Sequence, residues 1–147
     1  MDYKELASEF MQNMQKMHKL RQASPQKQID ESMHGEHFVL QFIATHKGYV
    51  LPSEIRNEMG ISSARIAATL NGLERKGLIT RQIDISDRRR ILVDLTPKGK
   101  TLVEEHHQEA MEMITKMLSL LGEHDAREYV RIIGRLAELD PLQYKMK

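Results

Sequence analysis

Arg88, Arg89 and Arg90 stand side by side within Ser86–Pro97, Ser-Asp-Arg-Arg-Arg-Ile-Leu-Val-Asp-Leu-Thr-Pro. Three adjacent guanidiniums repel one another, so crowding them at one point adds nothing to stability. A polyanion relieves that repulsion, whereas a solvated basic turn would make no use of it. Imidazole and carboxylate also occur in pairs, at Glu36-His37 and Glu105-His106. Glu109 lies one helical turn beyond Glu105, so these two carboxylates share a face with His106 beside them. A His/Glu cluster can hold a catalytic metal if it keeps an open coordination position and a substrate pocket. The chain has no His-Glu-x-x-His spacing, no phosphate-cradling glycine loop and no nucleophile elbow, and its seven histidines are scattered. An enzyme is therefore not expected.

The arginines need elements to present them. After them, Ile91, Val93 and Leu95 alternate with Leu92 and Asp94 as a strand does, and Leu78–Ile83 forms a second strand. The arginines thus cap a β-hairpin. Upstream, Pro52 suits a first helical turn, Ile55 and Met59 share a face, and Gly60 terminates the segment. Ser62 is an N-cap for a second helix carrying Ile66, Leu70 and Leu73, which Gly77 ends just past Arg75 and Lys76. Two short helices, a glycine turn and a basic-tipped hairpin describe a winged helix-turn-helix over residues 51–95. In that architecture the second helix enters a major groove by its N-terminal part, and the hairpin reaches an adjacent minor groove or backbone. The outward positions near the helix start are Ser63, Ala64, Arg65, Ala68 and Thr69. Arg65 is suited to bidentate reading of a guanine, or alternatively to gripping phosphate. The two alanines and Thr69 offer methyl groups and one hydroxyl.

Charge supports this placement. The chain has 147 residues and a net charge of +1, yet nine Lys/Arg against four Asp/Glu between Ile61 and Lys100 give that segment +5, leaving −4 elsewhere. Positive charge concentrated on one lobe is the footprint of phosphate binding. With no cysteine, disulfides and thiol redox sensing are excluded. No apolar run approaches a membrane span and no signal pattern opens the chain, so a soluble, cytoplasmic protein without a membrane partner is expected. Aromatic residues make up 5%, too few for a base-stacking surface.

The flanks read as helices. Leu6, Phe10, Met14, Met17 and Leu20 trace one stripe over residues 3–21, a polar segment with Pro25 follows to Glu31, and a second helix runs from His34 to His46. Thr96-Pro97 starts a long helix to about Leu121, striped by Leu102, His106, Ala110, Met113, Met117 and Leu121. A last helix, 123–139, is apolar on two faces. A small winged lobe cannot cover so much apolar surface, so residues 3–31 and 97–147 are expected to form the helical dimerisation region of a two-fold homodimer. The expected class is a single, mainly α domain over 1–147 with a small β-hairpin wing.

The chain resembles the MarR family of transcriptional regulators over nearly its whole length. The resemblance is carried by Ile61–Ile66, Leu73–Arg81, Asp84, Asp87–Arg90 and Val93–Gly99, above all by an Asp two before an Arg and an alternating strand into Leu-Thr-x-x-Gly. It implies that Asp87 orients the wing by pairing with Arg89, whose guanidinium enters the minor groove, while Arg88 and Arg90 add phosphate contacts. It also implies a homodimeric repressor on double-stranded DNA with an inverted repeat, released by a small-molecule effector such as an anionic phenolic compound. No cofactor is implied by most of the family. In its zinc-responsive branch, Glu-His pairs on the second and fifth helices help build metal sites, which singles out Glu36, His37, Glu105 and His106 as ligand candidates for zinc. His18 or Glu109 would complete the set. The sequence departs from that branch at Gln108, Glu109 and Ala110, where further histidines belong, and His106 alternatively packs as a stripe histidine.

Overall fold

In the computed structural model, which describes residues 2–22 and 27–140, six helices and one hairpin follow one another along the chain. These are α1 (Tyr3–Gln22), α2 (Lys27–Thr45), α3 (Pro52–Met59), α4 (Ser63–Arg75), β1 (Ile79–Ile83), β2 (Ile91–Leu95), α5 (Pro97–Leu121) and α6 (Glu123–Ala137). Residues 23–26 of the expected polar connection, and 141–147 of the expected C-terminal helical region, lie outside the described residues. The connection was expected to reach Glu31, but α2 already starts at Lys27. Polarity misled there: once past Pro25, Lys27–Ser32 contains no helix breaker, and polar residues such as Lys, Gln and Glu are good helix formers.

Two compact units divide the chain, residues 1–103 and 104–147. The first contains the core, made of Val39, Leu40 and Ile43 from α2, Ile55 from α3, Ile66, Leu70 and Leu73 from α4, and Leu78, Ile79, Val93 and Leu95 from the hairpin. Val50 completes it by exchanging both backbone hydrogen bonds with Val93, at 2.9 and 2.8 Å. That isolated bridge ties residue 50 to β2 and was not anticipated from the sequence. Strands β1 and β2 pair antiparallel from Ile79–Leu95 to Ile83–Ile91. Val93 and Leu95 are buried as their alternation implies, whereas Ile91 on the same face is exposed because the core stops short of the hairpin tip.

Helix α5 is bolted to this lobe at its start. Thr96 donates its N–H to the Leu78 carbonyl (3.1 Å) and its hydroxyl to the Gly77 carbonyl (2.6 Å), while its Oγ1 accepts the Gly99 N–H (3.0 Å). Gly77 has φ +72°, a conformation that favours glycine, so the turn sits where Thr96 needs it. Within the first unit, α1 leaves Leu6, Phe10, Met11, Met14 and Met17 exposed. Within the second, α5 and α6 expose Met113, Ile114, Met117, Leu121, Ile132, Ile133 and Leu136. Among the described residues no helix is long and apolar enough to cross a membrane.

Candidate nucleic-acid interface

The turn before α4 fixes where its first residues point. Gly60, at φ +66°, donates its N–H to the Arg56 carbonyl and ends α3 in the left-handed conformation. Ser62 then accepts the Arg65 N–H at 3.2 Å as the N-cap of α4. Ile66, Leu70, Gly72 and Leu73 bury one face, which leaves Ser63, Ala64, Arg65 and Ala68 exposed on the other. Among the described residues the Arg65 guanidinium makes no ion pair. Thr69 differs from expectation: it is half-buried, and its hydroxyl donates to the Arg65 carbonyl at 3.0 Å. Its one donor is thereby spent on its own helix, and a methyl group is what remains to meet a ligand.

Arg56, from α3, donates Nη1 to the Ser63 hydroxyl oxygen at 2.8 Å. It sets a second cation at the start of α4, one that sequence reasoning missed because no local pattern joins residues seven apart across a turn. Pro52, Arg56, Ile66, Leu70, Arg81 and Ile91 line a cleft of about 260 Å³ between α3, α4 and the hairpin. Its wall is mostly aliphatic, with the two arginines as its cationic groups.

The hairpin tip is internally braced. Asp84 Oδ1 accepts the Ser86 N–H (3.0 Å) and O–H (2.7 Å), and the Asp84 N–H donates to the Arg90 carbonyl (3.0 Å). Those Ser86 hydrogen bonds, with the Arg90 guanidinium beside them, hold the Asp84 carboxyl below its ordinary range. Asp87 Oδ1 accepts both the backbone N–H (3.1 Å) and Nε–H (3.3 Å) of Arg89, whose side chain is nevertheless 92% exposed. The Asp87–Arg89 contact that the resemblance implies is thus present in the structure. Arg90 has Asp84 Oδ2 at 3.8 Å, so its charge is partly offset, unlike that of Arg88. The two aspartates, rather than an external polyanion alone, relieve the crowding of three arginines.

Arg81, counted above with the basic lobe, serves a different end. Its fork donates to Glu74 at 3.1 and 3.0 Å and to Asn71 Oδ1 at 2.7 Å. Glu74 is held below the usual carboxylate range by the Arg81 hydrogen bonds, and Arg81 is raised in turn. This bidentate pair ties the hairpin to the last turns of α4, so helix and wing are presented together.

The Glu-His pairs fall in separate units. Glu36 is engaged with Lys76 at 2.6 Å, joining α2 to the end of α4, and its Oε1 lies over Gly72. His37 and His106 are half-buried with partners of their own, and Glu105 is exposed. Among the described residues no three His, Asp or Glu side chains come together as a metal cluster.

Comparison with known proteins gives concordant results. A model described as the MarR family matches residues 33–90. The uncharacterized HTH-type transcriptional regulator YwhA of Bacillus subtilis is 28% identical over 118 residues, spanning 76% of this chain and 84% of that protein. The crystal structure of YusO from Bacillus subtilis superimposes with a TM-score of 0.77 at 25% identity, covering 95% of this chain and all (100%) of that one. FabT of Streptococcus pneumoniae, solved in complex with DNA, shares the fold with a TM-score of 0.65 at 23% identity, over 93% of this chain and 96% of its own.

Proposed function

We propose that this chain, whose residues 33–90 match the MarR family of transcriptional regulators, acts as a homodimeric repressor on duplex DNA carrying an inverted repeat. The observation that carries this reading is the joint presentation of α4 and the wing. Arg65 projects from the start of the helix, Arg88 and Arg89 project from the hairpin tip, and Arg81 locks the two elements together through Glu74. Arg65 reads a base edge in the major groove, with Ser63, Ala64, Ala68 and the Thr69 methyl group lining the helix face. Arg89, pre-oriented by Asp87, enters the minor groove, and Arg88 neutralises phosphate, with Arg90 contributing less.

Dimerisation follows from the apolar faces. The stripe of α1 and the faces of α5 and α6 are too large to remain in water on a single chain. A second copy covers them, and two-fold symmetry then sets two recognition helices on half-sites ~34–36 Å apart. Occupancy of a promoter by such a dimer in the cytoplasm excludes polymerase without any catalysis by the chain. Release requires an effector that binds the DNA-competent and incompetent states unequally. An organic anion suits the cleft between α3, α4 and the hairpin, where aliphatic walls receive a ring and Arg56 receives a carboxylate.

The test begins by selecting duplexes from a random pool with the purified chain. Affinity for the winner is then measured with chelator, with zinc and with salicylate. An enriched inverted repeat, and weakening by salicylate that exceeds any zinc response, is the expected result. No enrichment over random competitor refutes DNA readout. A zinc effect abolished by both His37→Ala and His106→Ala would replace the organic effector with a metal held by those Glu-His pairs.

A further inference from the structure

We propose that Ile85, at the hairpin tip, seats on the deoxyribose wall of the DNA minor groove and gives the wing an apolar hold beside Arg89. The inference rests on the DNA-binding reading above and deepens it. Ile85 is 96% exposed, more than any other large hydrophobic residue among those described. Ile83 and Ile91, paired with each other at the loop end of the hairpin, are 65% and 42% exposed. A single exposed aliphatic residue is ordinary, but three around one hairpin tip make a patch.

The loop that carries Ile85 is fixed on both sides. Asp84 holds the Ser86 N–H and O–H, and its own N–H holds the Arg90 carbonyl, so Ile85 is displayed from a closed turn. A β-branched side chain is also stiff at χ1, which keeps the entropy lost on contact small. Charge complementarity selects the occupant. Arg88 and Arg89 follow Ile85 in the same loop, and the minor groove offers anionic potential next to a wall of sugar C–H groups. Proteins that enter that groove combine arginine with apolar side chains, isoleucine among them. Electrostatics at this tip are weaker than three arginines suggest, because Asp87 and Asp84 stand against Arg89 and Arg90. Apolar contact supplies what those aspartates offset.

The experiment uses the full chain and the selected duplex. Ile85→Ala is expected to weaken binding about five- to tenfold, as the removal of partly buried aliphatic surface does. The salt slope stays at the parental value, since no phosphate contact is lost. Melting temperature stays unchanged, because the side chain is almost wholly in solvent in the free protein. The chain has no cysteine, so Ile85→Cys carries an iron chelate at a unique thiol, and strand cuts with the 3′ stagger of minor-groove cleavage are expected. Parental affinity of Ile85→Ala, a changed salt slope, or cuts with the opposite stagger would each overturn the proposal. Dimers that dissociate in Ile85→Ala would assign the patch to a second copy and overturn it too. Arg89→Ala separates the two levels: if the parent binds DNA and Arg89→Ala weakens it while Ile85→Ala does not, the apolar hold fails and the DNA reading stands.

Discussion

Replacing Gly99 with alanine sets two physical effects against each other. In the first turn of α5, alanine is the better helix former by about 1 kcal/mol, so propensity alone calls for stabilisation. The structure requires the opposite. A Cβ on Gly99 collides with the Leu78 carbonyl oxygen, lies 3.1 Å from the carbonyl carbon and 3.3 Å from Leu95 Cδ2. The first obstacle is backbone, held in place by the Thr96 N–H at 3.1 Å, so no side chain can swing aside. The helix start must retreat by more than about 1 Å before the contact becomes ordinary. Overpacking of this kind costs about 1–3 kcal/mol, and the stretched Thr96–Leu78 hydrogen bond about 1 kcal/mol more. After the propensity gain, Gly99→Ala should lose about 1–3 kcal/mol, lowering the melting temperature by roughly 3–10 °C. Gly35→Ala is the control, because a Cβ there meets nothing within 4 Å and should be neutral or stabilising. Urea titrations of both variants give the two signs. A Gly99→Ala protein as stable as the parent would refute the docking of α5 on the α4–β1 turn.

Three further outcomes are expected from the interface. Arg65→Ala should lower affinity for the selected duplex about tenfold while leaving scrambled duplex almost unaffected, because the guanidinium reads a base; an equal loss on both would make it a phosphate contact. Arg88→Ala should reduce the log–log salt slope by about 0.9, and Arg90→Ala by less, since Asp84 already faces Arg90; titrations at four salt concentrations distinguish them. The Asp84 carboxyl is lowered from 3.8 by its Ser86 hydrogen bonds, so the loop keeps its brace above the ordinary aspartate range and loses it as pH falls through a still lower midpoint. The Ser86 amide proton shift reports this directly, and a midpoint above 3.8 would contradict the geometry.

What could be read from the sequence was local. Gly60, the Ser62 cap, Gly77 and Thr96-Pro97 each act through neighbours within a few residues, and each punctuates the structure where expected. The contact of Asp87 with Arg89, which only the family resemblance implied, is likewise local, two residues apart. Contacts that depend on tertiary placement were not legible. Nothing near Val50 announces that it will bridge Val93, and Arg81 resembles any other basic residue until β1 is laid beside α4. Arg56 reaches Ser63 only because Gly60 reverses the chain. Net charge over a segment likewise counts Arg81, Lys76 and Arg90 as available to DNA, although Glu74, Glu36 and Asp84 engage them. The +5 of the lobe therefore overstates how many of its cations are left to face a partner.

The central claim is that two copies of this chain grip one duplex through α4 and the wing. Sedimentation of a labelled duplex carrying the selected inverted repeat, beside one carrying a single half-site, tests it most directly. Two chains on the full site at a tenth or less of the concentration needed for the half-site is the predicted result, with affinity falling linearly in log salt. One chain per duplex, or equal affinity for full site, half-site and scrambled DNA, would contradict the account.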